Sequence, residues 1–117
     1  MCIRDRANDV GYSDVFAEQL KSLFRDGDVV IAISASGNSE NVLKAAQLAN
    51  DRGGVSIGLV GFDGGRLKHI CHLCIHVPTT DGAYELVEDA HHSICHMLAN
   101  YLKFAAAQTQ KDVSCSS

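Results

Sequence analysis

GDVVIAISASGNSENVL, residues 27–43, decides the fold. Asp26-Gly27-Asp28 makes a turn, and Val29-Val30-Ile31-Ala32-Ile33 is an apolar, mostly β-branched run. A run of that kind after a turn predicts a strand buried on both faces, as in a parallel sheet. Ser39, Glu40 and Asn41 then predict a helix N-terminus with Ser39 as its cap. The hydroxyls of Ser34, Ser36 and Ser39 therefore sit in a strand-to-helix loop, where open α/β sheets bind ligands. Gly37 allows close backbone approach, and the helix behind presents free N–H groups and a positive dipole end. This combination suits a phosphate held by neutral donors. The GK[ST] element of a P-loop is absent from the loop. An ordinary Ser/Gly connection with a capping serine accounts for the composition equally well.

ISASGNSENVLKAAQLAN, GLVGFDGGRL and EDAHHSICHML together resemble the sugar isomerase (SIS) domains. In these domains a serine-rich SGNS loop cradles a sugar phosphate. The phosphoheptose isomerase branch is the nearest, and the likeness covers roughly Ala7 to Phe104. It implies an α/β three-layer αβα sandwich with a parallel sheet, flavodoxin- or Rossmann-like, in which Ser34, Ala35, Ser36 and Ser39 touch substrate.

The remaining segments suit that architecture. Val15, Phe16, Leu20, Leu23 and Phe24 recur at helical spacing after Ser13 or Asp14 as cap. Val42, Leu43, Ala45, Ala46, Leu48 and Ala49 give the helix after the serine loop a small-residue face, ended by Gly53-Gly54. Val55–Val60 and Leu73–Val77 read as further strands, with a short helix over Arg66–Ile70 between them. Strands alternating with helices at this spacing mean right-handed βαβ units. A long helix is predicted from Tyr84 to Ala107, followed by a frayed or disordered tail over 108–117.

Composition excludes several classes. The 117 residues are 46% hydrophobic with a net charge of -4, which argues for one globular domain and against a nucleic-acid groove or an anionic membrane surface. No apolar run approaches the roughly 20 residues of a membrane span. Five cysteines among apolar residues suit reduced thiols in a cytoplasmic protein better than a disulfide framework. Cys71-His72-Leu73-Cys74 is a CxxC with no second pair at zinc-site spacing, so its thiols are expected as small buried apolar groups.

Glu88, His92 and His96 stand at i, i+4 and i+8, on one stripe of the last predicted helix. One carboxylate and two imidazoles there could bind zinc or serve as a general base with its partner. Spacing alone favours a solvated polar stripe. The resemblance adds roles: phosphoheptose isomerases carry RIQExHxxxxHIL here, and VEDAHHSICHML aligns Asp89, His91 and His96 with its Glu and two His. His96 then takes the acid/base or metal-ligand place. Glu88 stands where the family has Gln, a substrate- and zinc-binding position, so the implied zinc would fall to Glu88 and His96. The negative charge of Glu88 would favour a metal but repel an anionic substrate. His92 has no counterpart in the pattern.

Asn8 and Asp9, in ANDVGYSDVF, resemble the family's substrate-touching NDYGY segment, although an Asx turn before a helix explains them as well. Residues 1–6, MCIRDR, match the translation of a sequencing-library transposon adapter and are expected to be an artefact, which leaves 7–107 as the SIS domain. The family carries, before the position of Asn8, a glycine-rich loop, a catalytic glutamate and a zinc-binding His that this sequence does not show, so the domain is expected to be incomplete at its N-terminus. With such a segment missing, an edge of the sheet and part of an apolar face should lie open. The resemblance implies aldose–ketose isomerisation of a sugar phosphate, with sedoheptulose 7-phosphate first among substrates, by a cytoplasmic homotetramer. The alternative is a non-catalytic SIS protein of the kind that associates with the bacterial replication initiator.

Overall fold

The computed structural model describes residues 11–115. A turn of 3-10 helix over Tyr12–Asp14 leads into α1 (Val15–Leu23). β1 (Val29–Ser34), α2 (Glu40–Asp51), β2 (Val55–Val60), α3 (Leu67–Ile70), β3 (Leu73–His76) and α4 (Tyr84–Cys115) follow. The three strands are parallel in the order β1-β2-β3. Val29 pairs with Val55 and Ser34 with Val60, while Ile57 pairs with Leu73 and Val60 with His76. This is the α/β parallel sheet that the sequence predicts.

Alternation along each strand sorts the side chains into two faces. Ala32 and Val60 join Leu43 and Ala46 of α2 and Leu67 of α3 in the buried core, with Ile70, Cys71 and Cys74 packed against it. Alanines at 45, 46 and 49 bring α2 close to the sheet. The opposite face is built from Val29, Ile31, Ile33, Val55, Ile57, Leu59, Leu73 and Ile75, in lateral register. Leu59 on it is fully buried, but Val29 is 56% and Leu73 61% exposed, and Ile31, Ile33, Val55 and Ile75 are also open. Helix cover is therefore unequal: α2 and α3 close one face, and α4 docks on β2 through its first turns, where Val87 is fully buried against Gly61.

Three local expectations change. Neither Ser39 nor Asp14 caps with its side chain. The Asp14 carboxylate instead takes Lys44 Nζ at 2.8 Å and ties the start of α1 to α2. The last helix does not stop at Ala107 but runs to Cys115, because 84–115 contains no Gly or Pro to break it and its alanine, glutamine and lysine residues are good helix formers.

Candidate active site

β1 delivers Ser34 at its carboxyl end, 6% exposed, and the chain then turns through Ser36 and Gly37 into α2. Ser34 Oγ accepts the Gly37 N–H at 3.1 Å and lies 3.1 Å from Ser39 Oγ. Ser39 is thus free of the capping role that its position suggests, because its hydroxyl turns back across the loop. Its carbonyl instead accepts the N–H groups of Val42 and Leu43. Ser36 Oγ accepts the Asn38 N–H at 3.2 Å, which leaves the hydroxyl proton for a ligand. The loop gathers the predicted serines and the N-terminus of α2 into one donor-rich turn.

A second loop holds the first in place. Gly37 has φ +69°, and a Cβ on it would fall 2.0 Å from the Gly64 carbonyl oxygen, so the two glycine turns interlock backbone to backbone. The Leu67 N–H donates to Gly37 O at 2.9 Å, the Gly61 N–H to Ala35 O at 2.8 Å, and the Arg66 N–H to Asn38 Oδ1 at 3.0 Å. The Arg66 guanidinium also reaches Glu40 at 3.2 Å. The sequence signals for this joint are Asn38 of the SGNS turn and the glycine pair Gly64-Gly65 of FDGGRL.

Ser34 and Ala35 face α4 across a cleft of about 280 Å³, whose other walls are Ile33, Glu88, His91, His92 and Cys95. Of the two α4 residues predicted for the site, Glu88 lines this cleft. His96 stands one turn beyond and connects to it through His92, with Nε2 to Nε2 at 2.9 Å. His91 plays a different part. It is 4% exposed and donates from Nε2 to the Val60 carbonyl at 3.1 Å, so it anchors α4 on β2. An apolar groove of about 330 Å³ between α1, β1 and α2 contains no titratable group. Asn8 and Asp9 lie outside the described residues.

The family resemblance implies a zinc ion at Glu88 and His96. Among the described residues no three His, Cys, Asp or Glu side chains are gathered as a metal would need. His96 is turned to His92, and the described residues alone do not fit the ion.

The fold is thus a parallel α/β domain in which a hydroxyl-lined turn at a strand's carboxyl end faces imidazoles and a carboxylate across a cleft. The chain belongs to the SIS domain family, which matches residues 1–104. It is similar to the phosphoheptose isomerase of Rhodospirillum rubrum, 40% identical over 98 residues, covering 84% of this chain and 51% of that protein. It is also similar to the phosphoheptose isomerase of Nitratiruptor sp., 44% identical over 95 residues, covering 81% and 50%. Among solved structures, phosphoheptose isomerase from Neisseria gonorrhoeae superposes with TM-score 0.76 at 33% identity, over 84% of this chain and 55% of that one. The enzyme from Francisella tularensis gives 0.75 at 32%, over 84% and 52%. The chain spans about half the length of the curated relatives it matches.

Proposed function

We propose that the chain is part of a sugar-phosphate isomerase of the phosphoheptose isomerase type, with sedoheptulose 7-phosphate as its first candidate substrate. The observation that carries this reading is that Ser34 and Ala35, where the serine turn begins, line the same cleft as Glu88 and His92. The serine hydroxyls and the start of α2 hold the phosphate, and that anchorage orients the carbonyl end of the sugar toward α4. Isomerisation needs a base to take the proton beside the carbonyl and an acid to return it to the neighbouring carbon. His96, linked through His92, is the acid/base residue proposed. Glu88 contacts the sugar chain as a hydrogen-bond acceptor. Zinc remains outside this scheme, and no step is drawn through it. Asn8 and Asp9 are proposed substrate contacts. A cytoplasmic homotetramer is the proposed assembly. Among the described residues no helix is long and apolar enough to cross a membrane.

Calorimetry with sedoheptulose 7-phosphate and the unphosphorylated sugar tests the reading. Binding that requires the phosphate and is weakened by Ser36→Ala supports it, and equal binding of both sugars refutes it. Turnover is measured on the protein at its relatives' full length. Tight binding there without turnover would favour the non-catalytic, initiator-associated reading.

A further inference from the structure

The CxxC pair, which the proposed isomerase chemistry does not use, has a geometry of its own. Cys71 follows α3 as its C-cap and Cys74 is the second residue of β3, directly opposite Gly58 of β2. Both side chains converge on Gly58: a Cβ built there would lie 3.2 Å from Cys71 Sγ and 3.5 Å from Cys74 Sγ. The two sulfurs thus flank the space that one methyl group would fill, and glycine leaves that space open. Both residues are half-buried free thiols. We propose that Cys71 and Cys74 form a redox-active dithiol that closes to an intramolecular disulfide on exchange with a small disulfide oxidant such as glutathione disulfide.

The chemistry balances in two exchanges. One cysteine thiolate attacks a sulfur of the oxidant, forming a mixed disulfide and expelling one glutathione thiolate. The second cysteine loses its proton to solvent and attacks the protein sulfur of that mixed disulfide, expelling the other glutathione. The protein gives up two electrons and two protons, and the oxidant becomes two thiols. Burial pushes the Cys71 thiol above its ordinary pKa, with the Ser56 hydrogen bond pulling the other way and the Cys74 charge adding to the rise. Burial also raises Cys74, against Lys68. Little thiolate is present at neutral pH, so closure by exchange is slow. Closure would tie the end of α3 to β3, and α3 begins at the N–H that holds Gly37 of the serine loop.

The test uses the 117-residue chain with Cys2, Cys95 and Cys115 changed to serine, equilibrated in glutathione redox buffers and read by intact mass. The folded chain should lose two hydrogens, with an equilibrium constant for closure at least roughly tenfold above that of the same chain in urea. By linkage, the disulfide then favours the folded state by the same factor. Only glutathione adducts in the folded chain, or a constant no higher than in urea, would overturn the proposal. Gly58→Ala, with folding confirmed by circular dichroism, should abolish the folded-state advantage and leave the urea value unchanged.

Discussion

Asn38 Oδ1 accepts the backbone N–H of Arg66 at 3.0 Å, joining two loops that are 28 residues apart in sequence. The same side chain donates from Nδ2 to Ser36 O at 3.3 Å. One amide therefore fixes both the shape of the serine turn and its seat on the Gly64–Gly65 turn. Asn38→Ala should cost about 1 kcal/mol of stability per lost hydrogen bond and weaken phosphate binding more than it lowers the melting temperature. Thermal melts with and without inorganic phosphate separate the two effects. A variant that melts lower yet binds phosphate as before would make Asn38 purely structural.

Ser36 Oγ already accepts the Asn38 N–H, so its own proton is available to a ligand. A hydrogen bond to a charged group is worth about 1.5–3 kcal/mol. Ser36→Ala should accordingly weaken sugar-phosphate binding roughly ten- to a hundredfold. Calorimetry checks this, and unchanged affinity removes the serine from the site.

The three imidazoles of α4 should separate by role. His91→Leu leaves the Val60 carbonyl without its imidazole donor and should cost about 1–3 kcal/mol of stability. His96 is exposed, so His96→Ala should leave the melt unmoved while turnover in the full-length protein falls by orders of magnitude. His92→Ala tests the link between them, since an unaltered rate would show that the 2.9 Å contact to His96 has no part in proton transfer.

The Asp14–Lys44 pair gives a pH dependence. The hydrogen bond from Lys44 is the main cause holding the Asp14 carboxyl below its ordinary value of 3.8, and burial opposes it. A carboxyl depressed in the folded state adds stability that is fully present above the unfolded pKa. That contribution disappears as the pH falls through the folded value. Melting curves of the parent and of Asp14→Asn should therefore differ at neutral pH and converge in acid. Parallel curves down to pH 2 would show that the exposed pair contributes nothing.

How much of this was legible beforehand depends on the kind of signal. The strands and their parallel pairing follow from continuous β-branched runs, and the serine turn from its hydroxyls and glycine. The Ser39 hydroxyl departs from its expected capping role because N-cap preference is a local statistic, whereas the 3.1 Å contact to Ser34 needs the turn closed. The expected helix end at Ala107 marks only where polarity begins, and polarity without a breaker does not end a helix. The separation of His91 from His96 was out of reach for a different reason. Adjacent positions 91 and 92 point about 100° apart on a helix, and only docking on β2 decides which one is buried.

The carbonyl of Val60 serves two donors, the Val77 N–H at 2.9 Å and His91 Nε2 at 3.1 Å. The next residue, Gly61, holds the serine turn through Ala35. β2 is also the one described strand with a neighbour on each side. Its amides should be the last to take up deuterium, and those of β1 and β3 should exchange earlier. The carboxyl end of β2 then acts as a keystone in time as well as in space. Openings confined to the distal half of α4 would leave this end of the sheet standing, whereas an opening of β1, which carries Ser34, would take the serine turn with it.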